Sequence, residues 1–328
     1  MIKLAVLGAG SWGTALAATF AGHQEVTLWG RDSGRMAAMA RDRENRRYLP
    51  GCALPAALSI TSDLAEALDG VGLVLVVTPV KAFRETLECL HALAPGVPAI
   101  WACKGLEAGS RLLPHQIFAQ TLGAGAPGAV LTGPSFAAEV VRGLPTAITL
   151  ASADIGLARQ CAAWLHHPRF RIYAGDDVPG AEVGGAAKNV LAIAAGIADG
   201  MGFGSNARAA LITRGLAEIS RLGLALGGRR ETLMGLAGMG DLILTCTGDL
   251  SRNRRVGLGL ARGEPLAVVL EQLGQTAEGV STAREVVALA DQMGVEMPIC
   301  AAVNQVLHHG LPARVAVEQL LARDIKDE

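Results

Sequence analysis

The chain has 328 residues, more than a single hydrophobic core usually supports, so two domains are expected. Hydrophobic residues make up 51% of the chain and aromatic residues only 4%, a composition that excludes extended disorder and favours closely packed, alanine-rich helices. The formal net charge of −1 gives no general attraction to nucleic acid or to an anionic membrane. Any anion must therefore be recognised locally.

The first half of the chain alternates short apolar runs with helical patterns. Runs enriched in Val, Ile and Leu predict strands at residues 3–7, 25–29, 58–61, 71–77, 98–103, 129–132, 146–150 and 170–173. Helical patterns lie at residues 14–21, 62–68, 82–93 and 135–141, and Ser62 or Asp63 caps the second of them. This alternation predicts an α/β domain with a mostly parallel sheet. The strand at 71–77 is apolar throughout, as expected of a central strand buried on both faces.

From about residue 178 the strand signals stop. Helical periodicity continues at residues 186–198, 209–226, 282–293 and 299–308. Thr282 and Glu285 have the spacing of a capping box at the start of the third of these helices. We therefore predict an α/β domain over residues 1–178 and an all-α domain over residues 179–328.

The cysteines and apolar runs indicate the compartment. The six cysteines form no C-x-x-C pair and have no histidine at metal-ligand spacing, so reduced, mostly buried thiols and no metal site are expected. The first strand leaves no room for a cleavable leader. The longest apolar runs, such as residues 71–80, are too short to span a bilayer. We expect a cytoplasmic protein without membrane insertion and without a nucleic-acid partner.

A glycine-rich turn follows the first strand directly. Residues 8–13 read GAGSWG, a G-x-G-x-x-G motif between a strand and a helix. In that setting Gly8 makes the tight turn, Gly10 lets the backbone approach a pyrophosphate, and Gly13 allows the helix to pack closely on the strand. The helix N-terminus then offers free N–H groups to the phosphates. The first domain is therefore predicted to be a Rossmann-type dinucleotide-binding domain.

The end of the second strand bears on the choice of dinucleotide. An NAD enzyme usually places a carboxylate there for the ribose 2′-hydroxyl, whereas an arginine suits the 2′-phosphate of NADP. Here Arg31 is followed by Asp32, so the pattern is mixed. The position favours Arg31 and hence NADP(H), with use of NAD(H) also expected, and Asp32 is then a solvated surface carboxylate.

Polar segments follow several strands of the first domain, where an open α/β sheet binds its ligands. They lie at residues 78–81, 104–107 and 133–137. Lys104 follows an apolar strand, so its side chain should leave the sheet at this edge; a plain surface lysine is the alternative. The third segment contains Gly133 and Ser135 as candidate substrate contacts.

The helical half contains a lysine and an asparagine in an otherwise apolar stretch. Burying Lys188 beside Asn189 without a partner would be costly, so the lysine either reaches solvent, pairs with a structural acid, or has a chemical role. A desolvated ammonium group has a pKa lowered toward neutrality, which suits a general acid–base. We favour the chemical role.

Two later segments add candidate ligands for an anion. Asp241 lies in a glycine-rich connection, and Ser251, Arg252 and Asn253 follow one another directly. Arginine is suited to forked recognition of phosphate oxygens, and the serine and asparagine can also donate hydrogen bonds. A solvated basic helix start is the alternative for this run taken alone.

In combination these motifs resemble the bacterial NAD(P)-dependent glycerol-3-phosphate dehydrogenase family over almost the whole chain. The resemblance is carried by GAGSWG, WGR, TPVKAF at 78–83, ACKGLE at 102–107, GPSFAAEV at 133–140, AAKNVLAIAAGI at 186–197, GMGDLILTCTG at 238–248, SRNRRVG at 251–257 and AEGV at 277–280. Each motif alone is modestly specific, whereas their order and spacing together are highly specific.

The resemblance implies roles for particular residues. Lys188 matches the proton acceptor, Asp241 orients it, and Lys104 touches both the nicotinamide and the substrate. The implied dinucleotide contacts are Gly8, Gly10, Ser11, Trp12, Gly13, Arg31, Tyr48, Lys81, Lys104, Ala137, Arg252 and Glu278. The implied substrate contacts are Lys104, Gly133, Ser135, Lys188, Asn189, Asp241, Thr245, Ser251, Arg252 and Asn253.

The implied reaction interconverts dihydroxyacetone phosphate and sn-glycerol 3-phosphate by hydride transfer, which supplies glycerophospholipid synthesis. Two alternatives remain: a related β-hydroxyacid or ketopantoate-type reductase, and a non-catalytic redox sensor that binds NAD(P)H. A reductase of that type explains Lys104 and residues 251–253 less well. A redox sensor gives Lys188 and Asp241 no functional role. The apolar helices of the second half suggest a homodimer.

Overall fold

The computed structural model describes residues 2–322, which divide into two units. The first contains the described residues up to Lys104 together with Leu112–Val178. The second contains Gly105–Arg111 and the described chain from Pro179 onward. A short segment that follows a strand of the first unit therefore groups with the helical unit.

The first unit is built on an eight-stranded sheet. The strands of the described chain are β1 (Lys3–Leu7), β2 (Glu25–Trp29), β3 (Glu44–Asn45), β4 (Leu49–Ala53), β5 (Ser59–Thr61), β6 (Leu73–Val76), β7 (Ala99–Trp101), β8 (Gly128–Thr132), β9 (Thr146–Ala151) and β10 (Phe170–Gly175). The sheet has the order β10-β9-β8-β7-β6-β1-β2-β5, while β3 and β4 form a separate hairpin. Every pair in the large sheet is parallel except β8 with β9. The predicted mostly parallel sheet is confirmed.

The predicted central strand lies at the centre of the sheet. All four residues of β6 are buried, and the strand pairs with β1 on one side and β7 on the other. Elsewhere in the core of the first unit, Phe20 and Phe170 pack edge to face with their ring centroids 5.5 Å apart. The apolar run that predicted this strand is therefore explained by burial on both faces.

Seven helices accompany this sheet within the described residues. They are α1 (Ser11–Phe20), α2 (Ser33–Asp42), α3 (Leu64–Leu68), α4 (Phe83–Leu93), α5 (Pro114–Leu122), α6 (Ala137–Val140) and α7 (Ile155–Leu165). Asp63 caps α3 as predicted, because its carboxylate accepts hydrogen bonds from the N–H groups of Ala65 and Glu66. Helices α2, α5 and α7 and the β3–β4 hairpin were not predicted.

The described residues of the second unit form helices joined by loops, and none of them form a strand. Its helices are α8 (Val178–Gly200), α9 (Gly204–Ala225), α10 (Arg230–Leu233), α11 (Asp241–Thr247), α12 (Arg252–Ala261), α13 (Leu266–Leu273), α14 (Glu278–Gln292), α15 (Pro298–His308) and α16 (Ala313–Leu321). One turn of π-helix, Leu236–Gly240, leads directly into α11. The predicted all-α second half is confirmed.

The predicted capping box at Thr282 is wrong. Thr282 is buried inside α14, which begins four residues earlier, with Ala277 at its N-cap position. Ala277 has no side chain that can accept a hydrogen bond. Instead, the side-chain oxygen of Asn253 accepts from the N–H of Gly279 at 2.9 Å. A residue from another helix therefore accepts a hydrogen bond from an otherwise unpaired N–H group in the first turn of α14.

Helix α8 is the buried axis of the second unit. It is long and apolar enough to cross a membrane, but its most apolar window is entirely buried within the protein, as in the core helix of a globular domain. Residues 230–247 and 252–261 have the length and apolar composition of a membrane span only if they are counted as one segment across a 46° bend. Helix α12 approaches α8 so closely that a Cβ on Gly196 would lie 2.0 Å from the carbonyl oxygen of Arg254. This contact brings Asn189 of α8 within reach of Asn253.

Candidate active site

The carboxyl ends of five parallel strands meet at one edge of the sheet in the first unit. Because β1, β2, β6, β7 and β8 run in one direction, the segments that follow them share this edge. Those segments contain most of the site residues predicted in the first domain: Gly8, Gly10, Ser11, Trp12, Gly13, Arg31, Lys81, Lys104, Gly133, Ser135 and Ala137. The fold therefore brings together residues that lie up to 129 positions apart, from Gly8 to Ala137.

The glycine turn fits a dinucleotide. Gly8 has φ +122°, and a Cβ there would meet the carbonyl oxygen of Val77 at 2.7 Å. A Cβ on Gly13 would lie 1.9 Å from the oxygen of Gly8, so the helix can pack here only without a side chain. Gly10 differs, because a Cβ there would meet nothing within 4 Å, which leaves open space at the start of α1. The N–H groups of Ser11 and Trp12 face no hydrogen-bond acceptor in the described chain, as a phosphate cradle requires.

The end of β2 separates the roles of its two charged residues. Asp32 is the N-cap of α2, and its carboxylate accepts from the N–H of Arg35 at 2.9 Å. That carboxylate is exposed, as expected, and it is also engaged by the N-terminus of its own helix. Arg31 is exposed and has no carboxylate partner within the described residues. The arrangement favours recognition of a phosphate over recognition of a ribose diol.

The segment after β8 lies beside the start of α1. Ser135 donates its hydroxyl to the carbonyl oxygen of Gly133 at 3.0 Å. Ala137 opens α6, which packs against α1. Thr132, the last residue of β8, is buried, and its hydroxyl has no partner among the described residues. Thr132 was not predicted, because a threonine at the end of an apolar strand resembles an ordinary strand residue.

In the second unit, Lys188 is buried and paired. Its side chain donates to a carboxylate oxygen of Asp241 and, at 2.9 Å, to the hydroxyl of Thr245. That hydroxyl in turn donates to the main-chain oxygen of Asp241 at 2.6 Å. Lys188 is 7% exposed and Asp241 1%, so the ammonium group is held in a fixed position away from bulk water. The π-helical turn before α11 directs Asp241 toward α8.

A chain of amides orients Asn189. The main-chain N–H of Gly279 can only donate, so the group of Asn253 that faces it is the oxygen. The amino group of Asn253 therefore faces Asn189 and donates to its side-chain oxygen at 2.9 Å. This leaves the amino group of Asn189, which has no hydrogen-bond partner in the described chain, directed away from the pair and available to a ligand.

The start of α12 is also suited to an anion. Ser251 caps the helix by accepting from the N–H of Arg254 at 3.2 Å, and it is buried. The main-chain N–H groups of Arg252 and Asn253 have no partner among the described residues. The half-buried side chain of Arg252 reaches the oxygen of Gln275 at 3.5 Å. Ser251 therefore caps the helix, and the N–H groups of the next two residues remain available to an anion.

Asp199 anchors this helix start and was not predicted. Its carboxylate pairs with Arg254 at 2.7 Å and with Arg208 at 3.2 Å. The side chains of Asp199 and Arg254 are only 10% and 11% exposed. The signal that could have found it is an acidic residue near the end of an apolar helix, since such a charge needs a partner.

Three predicted dinucleotide contacts lie on a hairpin loop, on a short turn and at a helix start. Tyr48 is half-buried in the loop of the β3–β4 hairpin, and Lys81 is exposed on a short 3₁₀ turn after β6. Glu278 is the half-buried first residue of α14. It precedes Gly279, whose N–H donates a hydrogen bond to the side-chain oxygen of Asn253.

A dinucleotide-binding sheet combined in one chain with a helical unit that holds a buried lysine–aspartate pair defines an NAD(P)-dependent dehydrogenase. Residues 3–158 match the N-terminal model of NAD-dependent glycerol-3-phosphate dehydrogenase, and residues 177–318 match its C-terminal model. The chain belongs to the NAD-dependent glycerol-3-phosphate dehydrogenase family.

Individual relatives agree with this assignment. The chain is 61% identical over 328 residues to glycerol-3-phosphate dehydrogenase [NAD(P)+] of Aromatoleum aromaticum, with both chains covered completely. It is 58% identical over 327 residues to the enzyme of that name from Thiobacillus denitrificans, again with 100% of each chain covered. The crystal structure of glycerol-3-phosphate dehydrogenase from Coxiella burnetii superimposes with a TM-score of 0.94 at 45% identity, covering 98% of this chain and 99% of that one.

A ketopantoate reductase from Ralstonia eutropha shares the fold alone. It superimposes with a TM-score of 0.60 at 15% identity, covering 98% of this chain and all of that one. This likeness shows a shared fold and no shared activity, whereas both family models that match are those of glycerol-3-phosphate dehydrogenase.

Proposed function

We propose that the protein interconverts dihydroxyacetone phosphate and sn-glycerol 3-phosphate with NAD(P)H and NAD(P)+, and that it thereby supplies glycerophospholipid synthesis. The observation that carries the proposal is the buried contact of Lys188 with Asp241 and Thr245. A proton donor fixed beside an anion-binding helix start is what the reduction of a phosphorylated ketone requires. The forward reaction consumes one hydride and one proton for each carbonyl reduced.

Lys188 holds the proton. Asp241 and Thr245 accept from two N–H groups of its ammonium group and so fix the direction of the third. As negative charge builds on the substrate oxygen, the ammonium group stabilises that charge and then transfers a proton to the oxygen. In the reverse direction the neutral amine removes the hydroxyl proton. Lys104 supplies a second positive charge at the carbonyl oxygen.

The substrate phosphate binds near the start of α12. Arg252 contributes a guanidinium group and, with Asn253, unpaired main-chain N–H groups. Ser251 contributes a hydroxyl, and Asn189 contributes the amino group that Asn253 directs away from their shared hydrogen bond. Thr245, whose hydroxyl is engaged by Lys188 and by the main-chain oxygen of Asp241, contacts the substrate beside the lysine. Gly133 and Ser135 of the first unit are further proposed substrate contacts.

The dinucleotide binds at the carboxyl edge of the sheet and, when bound, supplies the hydride. Its proposed contacts are Gly8, Gly10, Ser11, Trp12, Gly13, Arg31, Tyr48, Lys81, Lys104, Ala137, Arg252 and Glu278. NADP(H) is preferred and NAD(H) is used more weakly, because Asp32 is engaged as a helix cap whereas Arg31 is open to a phosphate.

The test is the loss of reduced-cofactor absorbance when purified protein meets dihydroxyacetone phosphate, with NADPH and NADH run side by side. Rapid loss that depends on the ketone, and that is faster with NADPH, is expected. Ketopantoate in place of dihydroxyacetone phosphate tests the reductase alternative, which predicts the opposite substrate preference. Protein that binds NADPH but oxidises it with neither ketone would favour the redox sensor.

The proposal includes a homodimer in the cytoplasm. Helices α9, α15 and α16 border an apolar groove of about 1200 Å³. Phe203, Leu224 and Leu321 on this groove are 44%, 43% and 77% exposed, and clustered exposure of large apolar side chains is typical of an interface. If a second copy of the chain covers this groove, light scattering should give the mass of a dimer. Leu224→Asp should then shift the measured mass toward that of the monomer. Membrane insertion is not expected, since α8 is buried.

A further inference from the structure

The β3–β4 hairpin is fastened to the glycine turn. Asn45 is buried, and its amino group donates to the main-chain oxygen of Ala9 at 3.2 Å and to the hydroxyl of Thr14 at 2.8 Å. Its side-chain oxygen accepts from the N–H of Tyr48 at 3.2 Å. The hairpin loop is therefore held beside the dinucleotide site by a side chain that touches both.

Two arginines lie on the ring of Tyr48. The guanidinium carbon of Arg35 is 5.3 Å from the ring centroid and that of Arg47 is 5.4 Å. Arg35 also donates to the tyrosine hydroxyl at 3.2 Å. The Nε of Arg35 is buried and has no hydrogen-bond partner among the described residues.

The charges of these arginines are not neutralised by the protein. Within the described chain, neither Arg35 nor Arg47 has a carboxylate at ion-pair distance, and neither has Arg31 at the end of β2. The neighbouring Arg46 differs, because it pairs with Asp42 at 3.5 Å and with Glu44 at 3.6 Å. Unpaired guanidinium groups close to one another repel, so their arrangement is explained if an anion joins them.

The position of the cluster identifies the anion. The end of β2 faces the adenosine ribose in dinucleotide-binding sheets of this type. Gly30 lets this end approach α2 closely, since a Cβ there would lie 2.5 Å from the sulfur of Met36. Arg35 lies in the first turn of α2, only four residues beyond Arg31.

We infer that Arg35 and Arg47, held against Tyr48, join Arg31 in binding the 2′-phosphate of the dinucleotide and so determine the preference for NADP(H). The inference rests on the cofactor of the proposed function and extends it to two residues outside the proposed contact set. Tyr48 acts as a positioning residue that fixes the direction of the Arg35 guanidinium.

Calorimetric titration of the full chain with NADPH, NADH and adenosine 2′,5′-bisphosphate tests the inference without any turnover. Arg35→Gln and Arg47→Gln should each lower the affinity for NADPH and for the bisphosphate by about 10- to 100-fold, since each removes a charge-assisted hydrogen bond. NADH affinity should change by less than about twofold in both. Tyr48→Phe keeps the ring and should weaken NADPH only a few-fold.

Arg46→Gln is the matched control, because it removes an arginine of the same loop that is already paired; it should leave the NADPH affinity within about twofold. Equal losses for NADPH and NADH, or unchanged NADPH affinity in both Arg35→Gln and Arg47→Gln, would overturn the inference. If Arg35→Gln does not fold, Arg47→Gln, a change at an exposed position, provides the test of the inference. Wild-type protein that binds NADPH selectively but does not reduce dihydroxyacetone phosphate would overturn the proposed function and leave the 2′-phosphate site standing.

Discussion

Lys188 of α8 and Asp241 of α11 form a buried ion pair although 53 residues separate them in the sequence. Thr245, one turn beyond Asp241, accepts from the same ammonium group. The pair is therefore held by two helices and a hydroxyl, and the direction of the lysine is set before any substrate arrives. Such preorganisation is what makes a charged group effective toward a developing negative charge.

Asp241→Asn should lower turnover while leaving the affinity for NADPH unchanged. The amide keeps the shape of the carboxylate but removes the charge that fixes Lys188, so a loss of about 10- to 1000-fold in kcat is expected. In a Lys188→Ala background the same change should cost almost nothing more, because the two residues act as a unit. Independent, multiplying losses in the double variant would contradict this relation.

Asn253→Asp should weaken substrate binding through Asn189. The carboxylate can still accept from the N–H of Gly279 but can no longer donate to Asn189. The Asn189 amide should then turn its amino group toward residue 253 and away from the ligand. We expect KM for dihydroxyacetone phosphate to rise about tenfold with little change in NADH binding, measured by initial rates and by fluorescence titration. An unchanged KM would show that the direction of the Asn189 amide does not matter.

Asp199→Asn should destabilise the protein by roughly 3 kcal/mol, because it breaks a largely buried pair with Arg254. Asp249→Asn is the control: it removes a second partner of the same arginine whose side chain is 96% exposed, and it should cost less than about 1 kcal/mol. Urea unfolding measures both free energies. Equal costs for the two variants would show that burial of the Asp199 pair contributes nothing.

Glu218 should make stability depend on pH. The carboxylate is buried in α9 and accepts from the N–H groups of Ile299 and Cys300 at the start of α15. Burial raises the pKa of Glu218 above its ordinary value of 4.5, although these hydrogen bonds oppose the shift. Because the folded state binds the proton more tightly than the unfolded state, ionisation of Glu218 costs stability as the pH rises above 4.5.

The matched variant for this effect is Glu218→Gln, which has the same shape and does not titrate. Relative to this variant, the wild type should lose unfolding free energy as the pH rises above the ordinary glutamate pKa of 4.5, as measured by urea unfolding over a series of pH values. A wild type that gains stability relative to Glu218→Gln as the pH rises would reverse the sign and contradict the account.

The sheet could be predicted from the sequence because its strands are buried and therefore nearly continuous apolar runs. The predicted bounds of β1 and β2 agree with the structure to the residue. Helix α2 was missed because only Met36 and Met39 are buried in an otherwise polar segment. The β3–β4 hairpin was missed because β3 has two residues, both polar, and neither strand joins the main sheet.

The sequence offers candidate residues for the site but not the contacts between them. Lys188 stood out because a lysine in an apolar helix needs a partner. No local pattern reveals that Asn253 caps α14 from 26 residues away, or that Asp199 pairs with Arg254 at a separation of 55 residues. Such contacts depend on how helices pack, as at Gly196, where the absence of a side chain allows α12 to approach α8.

The most direct test of the central claim is turnover of dihydroxyacetone phosphate by Lys188→Ala, measured together with NADPH binding by the same protein. The account predicts that the variant binds NADPH as the wild type does and that its kcat falls by at least about 100-fold. Lys188→Arg should also be inactive, because a guanidinium group keeps the charge but does not release its proton near neutral pH. Turnover of Lys188→Ala close to that of the wild type would contradict the assignment of the proton to Lys188.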